Sequence, residues 1–212
     1  MKLFDRMLSS HLTMLIEKRE SGLHVNILPG EYYAARERVT MRTLLGSCVA
    51  ACLYEPVNKV IGMNHFLLSN RRYARNIPVV LSEAGRYGIH AMELFINDML
   101  KLGAKRANLH AKVFGGGSLY LISEVRDNFY CVGEVNVRFI REFLKNDGIP
   151  LVAEDLGGEK ARVIHFLFDD YSVHVKKIGK TTAPKLALTE RQFWLKGIED
   201  HERAKPQTEV WE

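Results

Sequence analysis

The chain has 212 residues, enough for one domain with appended termini at roughly 150 residues per domain, and its 47% apolar and 26% charged residues exclude wholesale disorder. Thirty Lys plus Arg against twenty-five Asp plus Glu leave a charge of +5, but the basic residues are scattered, which argues against a nucleic-acid footprint. Three cysteines make no disulfide framework and point to a reducing, cytoplasmic setting. No apolar run reaches the ~20 residues of a membrane span, so no membrane insertion is expected.

In chain order, Phe4, Met7, Leu8, His11, Leu12 and Leu15 recur at steps of three and four and predict a short amphipathic helix over 3–16. Strands are predicted at 24–28, closed by Pro29-Gly30, and at 39–45, ended by Gly46. Two apolar runs, 48–54 and 61–68, flank Glu55-Pro56-Val57-Asn58 and read as a β-hairpin. Ser82 is placed to cap a helix reaching about Leu102, with Gly103 just past its end. A strand over 109–114 then runs into Gly115-Gly116-Gly117-Ser118, and Asn136 is taken as the cap of a second helix ended by Gly148.

Short β-like runs at 151–154, 163–168 and 172–177 follow, and a helix start is expected at Thr189 with Gln192 as its capping-box partner. Runs of strands with few helices indicate α+β architecture rather than a βαβ repeat. The organisation expected from this is an N-terminal helical extension over 1–23, a main domain over 24–178 and a polar C-terminal extension over 179–212. Residues 1–20 and 190–212 are expected to lie outside the catalytic body.

The hairpin carries the chemistry. If it is symmetric about the 56–57 bond, Tyr54 opposes Lys59, Cys52 opposes Ile61, Ala50 opposes Met63 and Cys48 opposes His65. Opposed residues of an antiparallel pair share a face with Cβ atoms about 5 Å apart, which puts a thiol within reach of an imidazole as nucleophile and base. A one-residue slip would send them to opposite faces. Gly46 and Ser47 enter this strand, and their backbone N–H groups are candidates to donate to an oxyanion.

The same residues admit a plainer reading, in which Cys48 is ordinary core of an apolar strand. Zinc held by Cys48, Cys52 and His65 is rejected, because four strand residues put the two sulfurs about 13 Å apart. Phe114, Gly115 and Gly116 are assigned to a loop that lets a strand or a substrate approach the backbone; a tight turn is the bland alternative. His110 is read as packing. His24, His90, His165, His174 and His201 lack ligand spacing, and Glu154 and Asp155 read as turn chemistry.

Thr43-Leu44-Leu45-Gly46-Ser47-Cys48-Val49, Gly62-Met63-Asn64-His65-Phe66-Leu67-Leu68 and Lys112-Val113-Phe114-Gly115-Gly116-Gly117 resemble, in order and spacing, three signature blocks of the chemoreceptor glutamine deamidases (CheD). Weaker matches at Tyr87-Gly88, Gly103-Ala104, Glu134-Val135-Asn136-Val137 and Asp155-Leu156-Gly157-Gly158 extend the resemblance over about 26–178. The chain departs from the family pattern at Ser69, usually proline, at Gly117, usually alanine, and in its longer ends.

The resemblance implies a layered cysteine-hydrolase-like domain of packed β-sheets flanked by helices. It implies an amidohydrolase, without cofactor or metal, that converts glutamines of methyl-accepting chemotaxis receptors to glutamates. Cys48 would be the nucleophile, His65 the base, and Thr43 the assisting threonine, with Thr40 as the other candidate. It also implies a response-regulator phosphatase of the chemotaxis system as a partner. Two rivals stand beside it: a non-catalytic interaction module on the same fold, and a cysteine peptidase sharing the dyad.

Overall fold

The computed structural model describes residues 15–19, 22–68, 78–118, 131–178 and 183–203. Among the described residues ten strands form two five-stranded mixed sheets, and three α-helices accompany them, an α+β architecture. The first sheet takes β1 (Leu15–Arg19), β2 (Gly22–Asn26), β4 (Val39–Leu45), β9 (Arg162–Leu167) and β10 (Val173–Lys177) in that spatial order. In the second sheet the order is β3 (Tyr32–Ala35), β6 (Val60–Asn64), β5 (Val49–Glu55), β7 (His110–Gly115) and β8 (Leu151–Leu156). Among the described strand pairs, only β2·β4 and β7·β8 are parallel.

Two contiguous cores explain why β5 lacks the alternation of a half-buried strand. Cys48, Ala50 and Cys52 pack with Ile61, Met63 and Phe114 against Val25, Met41, Leu45, Ile164 and Phe166, so this core lies between the sheets. Val49, Ala51 and Leu53 face the other way, onto Met92, Phe95, Ile96, Phe139 and Ile140 of α1 (Glu83–Lys101) and α2 (Val132–Asn146). A strand covered on both faces reads as one continuous apolar run.

Ser82 caps α1 as expected, its hydroxyl accepting from Gly85 N at 3.0 Å. Other elements differ from the sequence reading. The helix expected over 3–16 falls largely outside the described residues, and its last two positions begin strand β1. The second helix starts at Val132, a turn before Asn136, which lies buried inside it and bonds elsewhere. The last helix, α3 (Ala183–Arg203), runs through Thr189 instead of starting there. Ala187, Glu190, Trp194 and Ile198, at helical spacing, are all buried.

Three of the histidines left without a role converge on the outer face of the first sheet. His165 opposes His174 across β9·β10 and Arg42 across β9·β4. Its pKa is lowered, mainly by burial and then by the charges of Arg42, His174 and His24. His110 stacks on Tyr54 with ring centroids 5.3 Å apart, in keeping with packing.

Candidate active site

The hairpin forms, but its centre lies one residue further on than the symmetric turn assumed. Cys52 opposes Met63, Tyr54 opposes Ile61, and a last bridge joins Val49 to Phe66. Cys48 is therefore opposite Leu67, and His65 opposite Ala50. The partner of each residue has moved by an even number of positions, so the face is conserved: Cys48 and His65 are diagonal neighbours on the side that looks into the inter-sheet core. The sulfur, a His65 ring nitrogen and a Glu190 carboxylate oxygen lie within 4.8 Å of one another.

His65 sits just past the end of β6, and its backbone is held from both sides: its N–H donates to Glu31 O at 2.9 Å and its carbonyl accepts from Gly30 N at 2.7 Å. The ring is oriented by Thr43, whose Oγ1 is 2.8 Å from Nδ1. Thr43 has one hydroxyl proton, and it goes to the Ile27 carbonyl at 2.7 Å. Its oxygen is then left to accept from Nδ1–H, which makes Nε2 the basic nitrogen. Nε2 is buried without a hydrogen-bond partner among the described residues.

Thr40 is not an alternative in this geometry. On β4, Val39, Met41, Thr43 and Leu45 alternate inward, whereas Thr40 faces out opposite Leu167. The inward face is the one His65 shares.

Burial controls both titrations. The His65 pKa is pushed down to about 4 by burial, opposed only in part by the nearby Ile27 carbonyl, so the imidazole is neutral near pH 7 and able to accept a proton. The Cys48 thiol is raised well above its usual value, by burial first and then by the Glu190 carboxylate beside it. In the resting arrangement the pair is thus thiol and neutral imidazole. Cys48 is fully buried in this state.

The unfolded chain binds a proton at His65 below about pH 6.5 while the folded one resists it down to about pH 4. Stability should therefore be lost as pH falls from about 6.5 to 4, by up to about 3 kcal/mol from this group. Urea midpoints measured across that window check the expectation: a folded His65→Gln variant should show a visibly flatter acid limb, and an unchanged slope would mean that other groups dominate.

Gly46 and Ser47 do direct their N–H groups to a common point. That point is occupied by Glu190 of α3, whose Oε1 accepts from Gly46 N at 2.8 Å and whose Oε2 accepts from Ser47 N and Ser47 Oγ, each at 2.7 Å. Sequence reading placed 190–212 outside the catalytic body; Glu190 instead sits fully buried against Cys48. Cys48, His65 and Glu190 bring one cysteine, one histidine and one carboxylate donor together, and Cys52 does not join them. Both carboxylate oxygens are already engaged by N–H and O–H donors, the arrangement of an anion held by backbone amides rather than by a cation.

The glycine segment closes the site from the other side. Gly116 N donates to Cys48 O and Gly117 N to Gly46 O, both at 2.7 Å. Gly115 has φ +112°, and a Cβ there would stand 2.2 Å from Cys48 O. The backbone that approaches this segment is the Cys48–Val49 strand entry itself, and Phe114 is buried in the inter-sheet core. Asn136 was missed as a site residue: its Oδ1 accepts from Leu68 N and its Nδ2 donates to Ser47 O, each at 2.9 Å. It ties the loop before Cys48 to the segment after His65, and its loss would strand two buried backbone groups at about 1–3 kcal/mol each. An asparagine read as a helix cap gave no hint of this, because the helix boundary was misplaced.

A family model described as CheD chemotactic sensory transduction matches residues 68–177. The probable chemoreceptor glutamine deamidase CheD 1 of Geobacter sulfurreducens is 49% identical over 195 residues, covering 92% of this chain and 97% of the relative. The probable chemoreceptor glutamine deamidase CheD 2 of Shewanella oneidensis is 48% identical over 153 residues, covering 71% and 74% of the two chains. Among solved structures, the Bacillus licheniformis hypothetical protein YfiH aligns at a TM-score of 0.35 with 16% identity, covering 58% of this chain and 49% of its own. The family segment begins after Cys48 and His65, but the Geobacter alignment takes in nearly the whole chain, and on these matches the protein belongs to the CheD family.

Proposed function

We propose that the protein is a cysteine amidohydrolase that converts glutamine side chains of methyl-accepting chemotaxis receptors to glutamate, releasing ammonia. The observation that carries this reading is the Thr43–His65 bond, which leaves Nε2 as the basic nitrogen beside a cysteine whose neighbouring amides bind an anion. Its relatives are named for the same reaction. Residues 24–178 supply the nucleophile, base and amide donors.

With substrate in place, Cys48 gives its proton to His65 Nε2 and its sulfur attacks the side-chain carboxamide carbon. The carbonyl oxygen becomes an oxyanion, stabilised by the N–H groups of Gly46 and Ser47. The C–N bond breaks as His65 returns the proton to the departing ammonia. Water, deprotonated by His65, then attacks the thioester, and the C–S bond breaks to give the glutamate and the free thiol. Each turnover adds one negative charge to the receptor, which changes the repulsion between its neighbouring segments.

Incubation with a receptor cytoplasmic fragment tests the reading. Ammonia release with glutamine-to-glutamate conversion and an intact substrate chain is the expected result. Chain cleavage would mean a peptidase, and neither ammonia nor cleavage would mean a binding module. A response-regulator phosphatase as partner and the cytoplasm as the place of work belong to the same reading; no described helix is long and apolar enough to cross a membrane.

A further inference from the structure

Glu190 has the carbon skeleton of the reaction product. Its carboxylate lies where a product carboxylate would be left: next to the Cys48 sulfur, one oxygen on the Gly46 amide, the other on the Ser47 amide and hydroxyl. The side chain is delivered by a helix. Around it, α3 is held by the buried Ala187, Trp194 and Ile198, and by Phe193, whose ring lies so close to Gly30 that a Cβ there would stand 2.9 Å from Cζ. Gly30 is also the residue that holds the His65 carbonyl, so the helix packs over both halves of the dyad.

We propose that the cleft filled by α3 is the groove for a glutamine-bearing substrate helix, closed in cis by Glu190 as a bound product mimic. The inference rests on the deamidase reading and adds the form of the substrate and the means of regulation. A carboxylate cannot be turned over usefully, because attack would only regenerate it, whereas a carboxamide at the same point meets nucleophile, base and oxyanion donors together. Substrate and α3 compete for one place, and turnover requires α3 to leave. While α3 stays, Cys48 is covered and its neighbouring amides are satisfied, so the resting enzyme is silent towards stray glutamines and towards thiol reagents. Removing the contacts that seat α3, without touching the dyad, populates the open state.

The decisive experiment makes the mimic a substrate. In the full-length Glu190→Gln variant, the placed carboxamide should be hydrolysed by Cys48 of the same molecule, restoring glutamate at position 190 and releasing one ammonia per chain. Peptide mass spectrometry reads the exchange of amide nitrogen for oxygen, and the Glu190→Gln/Cys48→Ala double variant should keep its glutamine. Independently, Trp194→Ala loosens α3 at a distance from the dyad. It should raise the rate of Cys48 alkylation by iodoacetamide about tenfold over wild type and should raise receptor turnover with it. Circular dichroism establishes that each variant is folded.

Persistence of the introduced glutamine in a folded Glu190→Gln protein, or wild-type alkylation in a folded Trp194→Ala protein, would overturn the proposal and make Glu190 a structural anchor. If the wild type converts receptor glutamines while the glutamine of Glu190→Gln persists, the groove assignment fails and the function stands. If that glutamine is converted while receptor fragments are untouched, the groove for a glutamine-bearing helix stands and the receptor reading fails.

Discussion

Cys48→Ala and His65→Ala should each lower receptor deamidation by about 10⁴-fold or more, and the double variant should be scarcely slower than either single one. In the proposed mechanism the sulfur forms the bond and Nε2 moves the proton, so losing one leaves the other with nothing to do. Non-additivity is the signature of a unit, and additive losses would mean that the two groups act separately. Thr43→Val should cost less, about 10- to 100-fold, because it removes the acceptor that fixes the His65 tautomer while leaving both reacting atoms present. Thr43→Ser keeps the hydroxyl and should keep most of the rate. Single-turnover rates on a receptor peptide, with circular dichroism of each variant, decide the ranking. Appreciable turnover by folded Cys48→Ala would refute a covalent intermediate, and Thr43→Val indistinguishable from wild type would leave the tautomer to other contacts.

What could be read from the chain followed from period and parity. Cys48 and His65 fell on one face because strand faces depend only on whether a register is shifted by an odd or an even number of residues, and the turn proved to differ by an even shift in pairing. The same parity would have chosen Thr43 over Thr40, since Thr43 alternates with the inward Met41 and Leu45. The contributions of Asn136 and Glu190 were hidden for a different reason. Each lies far along the chain from the groups it serves, 89 residues from Ser47 for one and 144 from Gly46 for the other, and nothing local marks a polar residue on a helix as buried. For α3 the polar composition also misled: among its described positions a narrow stripe, at Ala187, Glu190, Trp194 and Ile198, is buried, with Phe193 and Leu195 packed partly buried beside it. A carboxylate in an otherwise apolar stripe is the signal that was present.

Gly115→Ala should be among the most damaging single-methyl changes outside the dyad, and its effect should separate into two parts. The first is conformational: φ of +112° disfavours any residue with a Cβ. The second is steric, because the new Cβ would stand 2.2 Å from the Cys48 carbonyl oxygen and 3.1 Å from Val49 Cα, both backbone atoms that cannot rotate away. The strand entered at Cys48 must yield, and with it the Cys48 carbonyl that accepts from Gly116 N. Gly148 supplies the control. It also has positive φ, +69°, but nothing lies within 4 Å of a Cβ built there, so Gly148→Ala bears the conformational cost alone. Chemical denaturation should show about 1 kcal/mol lost for Gly148→Ala and about 3 kcal/mol or more for Gly115→Ala. Only the second should slow deamidation, by about tenfold or more, since a displacement near 1 Å at a nucleophile is costly even when the fold survives. Equal losses of stability in the two variants, with receptor turnover intact in Gly115→Ala, would show that the strand absorbs the methyl group and that the glycine segment does not set the position of Cys48.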